Sequence, residues 1–302
     1  MRFIWIVFAF LAAAYILIGI FVFLVAYVRR FPIATRFQSS EVRKLRQTYA
    51  PQLTHARDYT SNLPQQQLCL TARDGIRLHA VHIPAGENSR GVILMIHGFR
   101  AESGPYDMCC AMEALHDDHW DVVVPDLRGH GKSGGAFLGF AAADRFDVCD
   151  WCRLIDETLH PKNLFLDGIS MGAATVLGTS ELPLPDCMRG IIADCGFTDA
   201  HSQMKQMIHA RLHIPALPAL LVTSLLARIF TGYGLWALDT TRALQHNCYP
   251  VFFAHGERDG FVSCDMTRRN YAACTAEKEV LYVPNAGHGA SFLVEHEEYL
   301  RR

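Results

Sequence analysis

The stretch that most limits what this chain can fold into is Gly168-Ile169-Ser170-Met171-Gly172, a Gly-x-Ser-x-Gly sequence. It follows the short apolar run Asn163-Leu164-Phe165-Leu166 and precedes the helix-forming run Ala173-Ala174-Thr175. A serine between a strand and a helix, with a glycine two positions away on each side, is the pattern of a sharp turn that lifts one hydroxyl clear of the backbone. The spacing has a chemical reason. A serine hydroxyl attacks poorly unless it is held away from neighbouring atoms, next to a base and beside donors for an oxyanion. A tight strand-to-helix turn meets those needs but crowds the main chain, so the flanking positions favour residues without a side chain. The pentapeptide also occurs by chance, so its meaning depends on what surrounds it.

Three further pieces occur in a consistent order. Upstream, Val92-Ile93-Leu94-Met95-Ile96 is a continuous apolar run, read as a buried parallel strand. It ends in His97-Gly98-Phe99-Arg100, where Gly98 allows a bend that would point the Phe99 amide at a substrate carbonyl. The Met171 amide, at the start of the helix after Ser170, would be a second donor, helped by the helix N-terminus. Downstream, Pro250-Val251-Phe252-Phe253-Ala254 reads as another buried strand, leading into His255-Gly256-Glu257-Arg258-Asp259. Val280-Leu281-Tyr282-Val283 is a further strand, followed by Asn285-Ala286-Gly287-His288-Gly289. Among 15 histidines, His288 stands out because it lies between glycines just past the last strand, where a loop can reach the serine. The candidate nucleophile, acid and base therefore run Ser170, Asp259, His288 along the chain. Asp194, after Ile191-Ile192-Ala193, is the rival for the acid; Asp259 is preferred for its His-Gly-x-x-Asp context.

With Asp126-Leu127-Arg128-Gly129-His130-Gly131-Lys132-Ser133, these motifs resemble the α/β-hydrolases of the serine-esterase or lipase-like kind. They are similar to the membrane-anchored branch carrying His-Gly-Phe, Asp-x-Arg-Gly-His-Gly-x-Ser and His-Gly-x-x-Asp segments. The resemblance spans roughly residues 66–300. It implies a mostly parallel central sheet flanked by helices, and a two-step acyl transfer. Ser170 would attack, His288 would relay the proton, Asp259 would orient the imidazole, and the Phe99 and Met171 amides would form the oxyanion hole. In that family the Asp126–Ser133 segment orders the fold near the site, so no chemical step is assigned to it.

Residues 3–28 are almost wholly apolar, and about 20 such residues suffice to cross a bilayer. The run is too long for a secretory signal core and has no clear small-x-small cleavage site, so an anchor is expected. Arg29, Arg30, Arg36, Arg43, Lys44 and Arg46 follow it, whereas only Arg2 and the amino terminus precede it. The positive-inside rule then puts the catalytic domain in the cytoplasm. Ten cysteines without regular spacing, two of them adjacent at Cys109-Cys110, fit reduced thiols. Cys149-x-x-Cys152 reads as a pair of small, partly buried helix residues. The net charge of −2 offers no basic patch for nucleic acid, and no metal or cofactor motif is present.

The expected organisation is a transmembrane anchor over residues 1–28, a helical juxtamembrane linker over 29–65, and a hydrolase domain over 66–302. Leu68-Cys69-Leu70-Thr71 and Ile76-Arg77-Leu78-His79-Ala80-Val81 flank Asp74-Gly75, a hairpin signal. Helices over about 106–119 and 141–159 alternate with strands, as in a doubly wound sheet. Residues 197–248 exceed what one crossover helix needs. Their apolar middle, 214–230, is either extra packing or a small helical cap forming an acyl pocket over the serine. Pro215, Pro218 and Arg228 argue against a second span. Arg100, beside the oxyanion turn, is expected to be an exposed, solvated arginine rather than a contact for an anionic substrate.

The function expected is hydrolysis of carboxylic esters or thioesters with apolar acyl groups, on a small-molecule or lipid-like substrate. A prolyl-oligopeptidase-like peptidase is the second reading, although residues 29–65 are too short for a gating domain. A non-catalytic membrane adaptor is the third; against it, no motif position is lost.

Overall fold

The computed structural model describes residues 1–31 and 40–302; residues 32–39 of the expected linker lie outside it. The chain runs α1 (Arg2–Tyr27), α2 (Ser40–Thr48), α3 (Ala50–Asn62), β1 (Gln66–Thr71), β2 (Arg77–Ile83), β3 (Val92–Ile96), α4 (Gly104–Asp117), β4 (Asp121–Asp126), α5 (Asp144–Leu159), β5 (Leu164–Ile169) and α6 (Met171–Thr179). It continues with β6 (Met188–Asp194), α7 (Ala200–Leu212), α8 (Leu217–Thr231), α9 (Thr240–Gln245), β7 (Val251–Gly256), α10 (Cys264–Ala273), β8 (Lys278–Val283), α11 (Ser291–Val294) and α12 (His296–Arg301). The eight strands form one sheet in the order β1-β2-β4-β3-β5-β6-β7-β8. The β1–β2 and β2–β4 pairs are antiparallel and the others parallel. This is the α/β-hydrolase fold.

The strand content follows from burial. All five residues of β3 are buried, because helices cover both faces of a parallel sheet. The hairpin forms where Asp74-Gly75 stands, with Gly75 at φ +84°, a conformation that glycine adopts without steric cost. Helix α5 begins at Asp144 rather than at residue 141. Phe140 and Ala141 have positive φ, and the Ala141 N–H donates to Asp144 Oδ2, so the chain reverses before the helix can start. Cys149 and Cys152 on α5 are fully buried, more so than expected.

The segment expected as a cap divides into unlike parts. Helix α7 stays near the carboxyl end of the sheet, whereas α8, the apolar middle, packs along α1. Their contact is close: a Cβ built on Gly19 would lie 2.5 Å from the Ala219 carbonyl oxygen, and the Thr223 hydroxyl donates to Gly19 O at 2.9 Å. The Phe23 and Phe230 rings pack at a tilt, with centroids 5.5 Å apart. Helix α1 is long and apolar enough to cross a membrane, and it is buried against protein only at Gly19, Phe23, Ala26 and Tyr27.

The end of α1 is sewn into the domain. Arg29 donates its backbone N–H to Ala136 O at 3.0 Å, and its guanidinium to Ser133 O and Gly131 O, both at 2.6 Å. Those two carbonyls belong to the Asp126–Ser133 loop, which a buried network holds. Asp126 accepts from the Gly104 and Lys132 amides, each at 2.7 Å. Arg128 grips Asp147 through two bonds of 2.7 Å and reaches Asp74 in the hairpin turn. Such bidentate pairs fix geometry as well as supplying energy.

Candidate active site

Every candidate residue lies at the carboxyl edge of the parallel strands, where open α/β sheets bind ligands. Ser170 sits between β5 and α6 with φ +58° and ψ −114°, a region non-glycine residues rarely occupy. The glycines explain how the turn is possible. A Cβ on Gly168 would meet Gly172 main-chain atoms at 2.5 Å, and one on Gly172 would lie 1.9 Å from Ile96 O. Both positions exclude any side chain, as the motif spacing requires. The Ser170 N–H donates to Asp194 O at 2.8 Å, which ties the turn to the neighbouring strand.

The loops after β7 and β8 bring two distant residues to this serine. His288 Nε2 lies 2.9 Å from Ser170 Oγ, and His288 Nδ1 lies 2.7 Å from Asp259 Oδ2. If Nδ1–H donates to the carboxylate, Nε2 is left to accept the serine proton. Asp259 Oδ1 accepts from the Phe261 and Val262 amides, each at 2.8 Å. His255 supplies a contact that the sequence did not single out. Its Nε2 lies 3.2 Å from Asp259 Oδ2, while its Nδ1 is 2.7 Å from the Thr267 hydroxyl. Burial works against ionising Asp259, but the His288 and His255 imidazoles outweigh it and hold the carboxyl well below its ordinary range. Asp194, the rival acid, makes no hydrogen bond to His288; its Oδ1 accepts from the Ser291 hydroxyl at 2.9 Å.

Phe99 and Met171 sit on either side of the serine, one after β3 and one opening α6. Neither backbone N–H has a protein acceptor among the described residues. Two buried imidazoles hold the Phe99 turn. His97 Nε2 accepts from the Leu127 N–H at 3.0 Å, so its Nδ1–H donates to Gly98 O at 2.8 Å. His130 Nε2 accepts from the Arg100 N–H at 3.2 Å. Burial lowers both pKa values, which keeps the rings neutral, as these acceptor roles need. The His-Gly spacing hinted at the first of them; the second lies in the Asp126–Ser133 motif, which reads as ordering the fold but gives no partner for it.

Arg100 departs from its expected solvated state. Its guanidinium donates to Val25 O at 2.6 and 3.0 Å, to Val28 O at 2.8 Å and to Arg29 O at 3.2 Å. These are carbonyls at the end of α1, which no further turn of helix can satisfy.

Two cavities meet at Ser170. One, of about 430 Å³, runs between α1 and α7 and is apolar except for Ser170, Gln203 and Arg211. Helix α8 contributes none of its walls. The other, of about 150 Å³, opens toward α3 and α4 and is lined in part by His288, Tyr106 and Arg57. The edge of the Phe261 ring packs against the His288 imidazole, with centroids 4.9 Å apart, and that residue borders both cavities.

Known proteins resemble the chain in sequence and fold. Residues 87–233 match the Hydrolase_4 family model, described as serine aminopeptidase, S33. The YqkD protein of Bacillus subtilis (strain 168) is 24% identical over 229 residues, which cover 74% of this chain and 73% of that protein. The YfhR protein of Escherichia coli (strain K12) is 22% identical over 235 residues, 76% of each. Among solved structures, the esterase Pf2001 of Pyrococcus furiosus superposes with a TM-score of 0.62 at 20% identity, covering 80% of this chain and 88% of that one. The esterase EaEST of Exiguobacterium antarcticum gives 0.57 at 17% identity, covering 77% and 96%. Strand order, the serine turn and these likenesses converge: the chain has the α/β-hydrolase fold.

Proposed function

We propose that this protein is a membrane-anchored serine hydrolase that cleaves carboxylic esters or thioesters with apolar acyl groups. The observation that carries the reading is His288, bonded at once to Ser170 Oγ at 2.9 Å and Asp259 at 2.7 Å at the foot of an apolar cavity. Nucleophile, base and orienting acid need this order of contacts.

In the first step Ser170 Oγ bonds to the substrate acyl carbon while its proton passes to His288 Nε2. The carbonyl oxygen, now negative, takes the Phe99 and Met171 N–H donors. The bond from the acyl carbon to the leaving oxygen or sulfur then breaks, and His288 returns the proton to that atom. Water repeats the sequence on the acyl-enzyme and releases the carboxylic acid. Asp259 stays ionised throughout and stabilises the charged imidazole.

The aminopeptidase description of the matched family favours a second reading, cleavage of an aminoacyl amide. The apolar walls beside Ser170 support the ester reading instead, because they offer no carboxylate for an α-amine on that side.

Labelling of the full chain in detergent with a fluorophosphonate probe tests the proposal. Wild-type protein is expected to label, and Ser170→Ala to stay unlabelled. Asp259→Asn is expected to lower kcat by ~10³–10⁴-fold, and Asp194→Asn by much less. Comparing acyl esters with aminoacyl amides separates the two readings. Folded wild-type protein that neither labels nor turns over any of these would refute catalysis, and an active Asp259→Asn would refute the assignment of the acid.

A further inference from the structure

The cavity of about 430 Å³ beside Ser170 is unusual in its construction. Leu17, Ile18, Phe21, Val22 and Val25 of α1 form one wall, and Met204, Met207 and Ile208 of α7 face them. The helix long enough to cross a membrane is thus also a side of the chamber that holds the serine.

Helix length fixes where this chamber lies. At about 1.5 Å per residue, a hydrocarbon core of about 30 Å takes about 20 residues. Counted from Arg2, that reaches Phe21, so the wall formed by residues 17–25 straddles the membrane surface. If the span stopped at residue 16, just short of the chamber wall, only about 22 Å would be covered.

Helix α8 points the same way. Gly19 lies against Ala219 and Val222, and Phe23 against Phe230, so α8 runs beside this part of α1. Its outer face carries Leu217, Leu221, Leu225 and Ile229, spaced by four residues and 54%, 55%, 60% and 63% exposed. That spacing makes one stripe along the helix. Water would oppose so continuous an apolar face, and it adjoins the exposed face of α1.

We propose that α8 and the adjoining end of α1 sit together in the leaflet nearer the domain, and that the acyl chain of a bilayer lipid passes between α1 and α7 to reach Ser170. Helix α1 is then a specificity-determining wall as well as an anchor. The inference rests on the reading of Ser170 as the nucleophile. It adds that the acyl group comes from the membrane rather than from solution, and that α1 residues set its length.

Two measurements on the full chain in phosphatidylcholine vesicles test it. The first compares wild type, Ile18→Trp and Phe21→Ala on 4-nitrophenyl esters from butyrate to palmitate. Ile18→Trp, which fills the chamber, is expected to lower the ratio of laurate to butyrate kcat/KM at least tenfold. Phe21→Ala, which opens it, is expected to move the optimum to longer chains. The second uses Ser170→Ala with a phosphatidylcholine carrying a diazirine in its acyl chain. Photo-adducts are expected within residues 17–25 of α1 and on the outer stripe of α8. Adducts confined to residues 2–16, or three identical chain-length profiles from active enzymes, overturn the inference and leave the catalytic reading intact. Loss of both turnover and probe labelling in wild type removes the catalytic reading, and this inference with it.

Discussion

The Arg100 guanidinium donates to the Val25 carbonyl through two nitrogens, at 2.6 and 3.0 Å. The same residue follows Phe99, whose amide is the proposed oxyanion donor. One side chain thereby couples the end of the N-terminal helix to the turn beside the serine. Hydrogen bonds from a charged donor contribute ~1.5–3 kcal/mol each, and Arg100 makes four. Arg100→Gln is expected to lower the thermal unfolding midpoint in detergent and to speed amide exchange at Arg29 and Leu138, whose backbone N–H groups hold the end of α1. Arg100→Lys should recover only part of the loss, since one ammonium cannot span three carbonyls. Unchanged exchange in both variants would mean that the end of α1 is held without Arg100, by the Arg29 and Leu138 bonds and by packing on α8.

Ser170 holds a strained backbone conformation. At φ +58° and ψ −114° the residue costs ~1–3 kcal/mol, which glycine would not. Glycine also gives the unfolded chain more freedom, worth ~0.4–1 kcal/mol in the opposite direction. Strain is the larger of the two, so Ser170→Gly is expected to be more stable than Ser170→Ala by ~0.5–2 kcal/mol in denaturant titration. An alanine variant as stable as the glycine variant would show that the turn relaxes once the hydroxyl is gone.

Asp167, two residues before Ile169 on β5, is buried, and its pKa is pushed up to about 7, chiefly by burial and then by the charge of Asp194. The sign follows from linkage. Below pH ~4 the group is protonated in both folded and unfolded chains and contributes no difference. As pH rises toward 7, the unfolded chain loses its proton first, so the folded state loses stability, and the full penalty is present above pH 7. Asn mimics the protonated form. Asp167→Asn is therefore expected to unfold at a higher temperature than wild type at pH 8, by roughly 2–4 kcal/mol in stability, with the gap closing near pH 4. A gap independent of pH would mean that Asp167 is ionised in the folded protein.

Much of the frame was legible along the chain. Buried parallel strands announce themselves as unbroken apolar runs, and β3 spans the expected Val92–Ile96. The glycines of the serine turn are local necessities, readable because a Cβ there has nowhere to go. The candidate site was also legible, because the loops that carry Asp259 and His288 follow strands whose order in the sheet puts their ends side by side.

Position along the chain could not foretell the partners of these residues. Whether His288 meets Asp259 or Asp194 depends on side-chain direction at the ends of neighbouring strands, which no periodicity records. The second histidine on Asp259, the two neutral imidazoles behind Phe99 and the clamp of Arg100 on Val25 have the same origin: each is a hydrogen bond demanded by a buried polar group and met by whatever lies near in space. Sequence alone determined that α1 is apolar along its length and that residues 214–230 are too. Only the tertiary structure decided that these two segments pair, with Thr223 bonded to Gly19 across 204 residues, and that α1 walls the chamber at Ser170. Hydrophobicity specifies that a surface must be covered, whereas the shape of the folded chain selects what covers it.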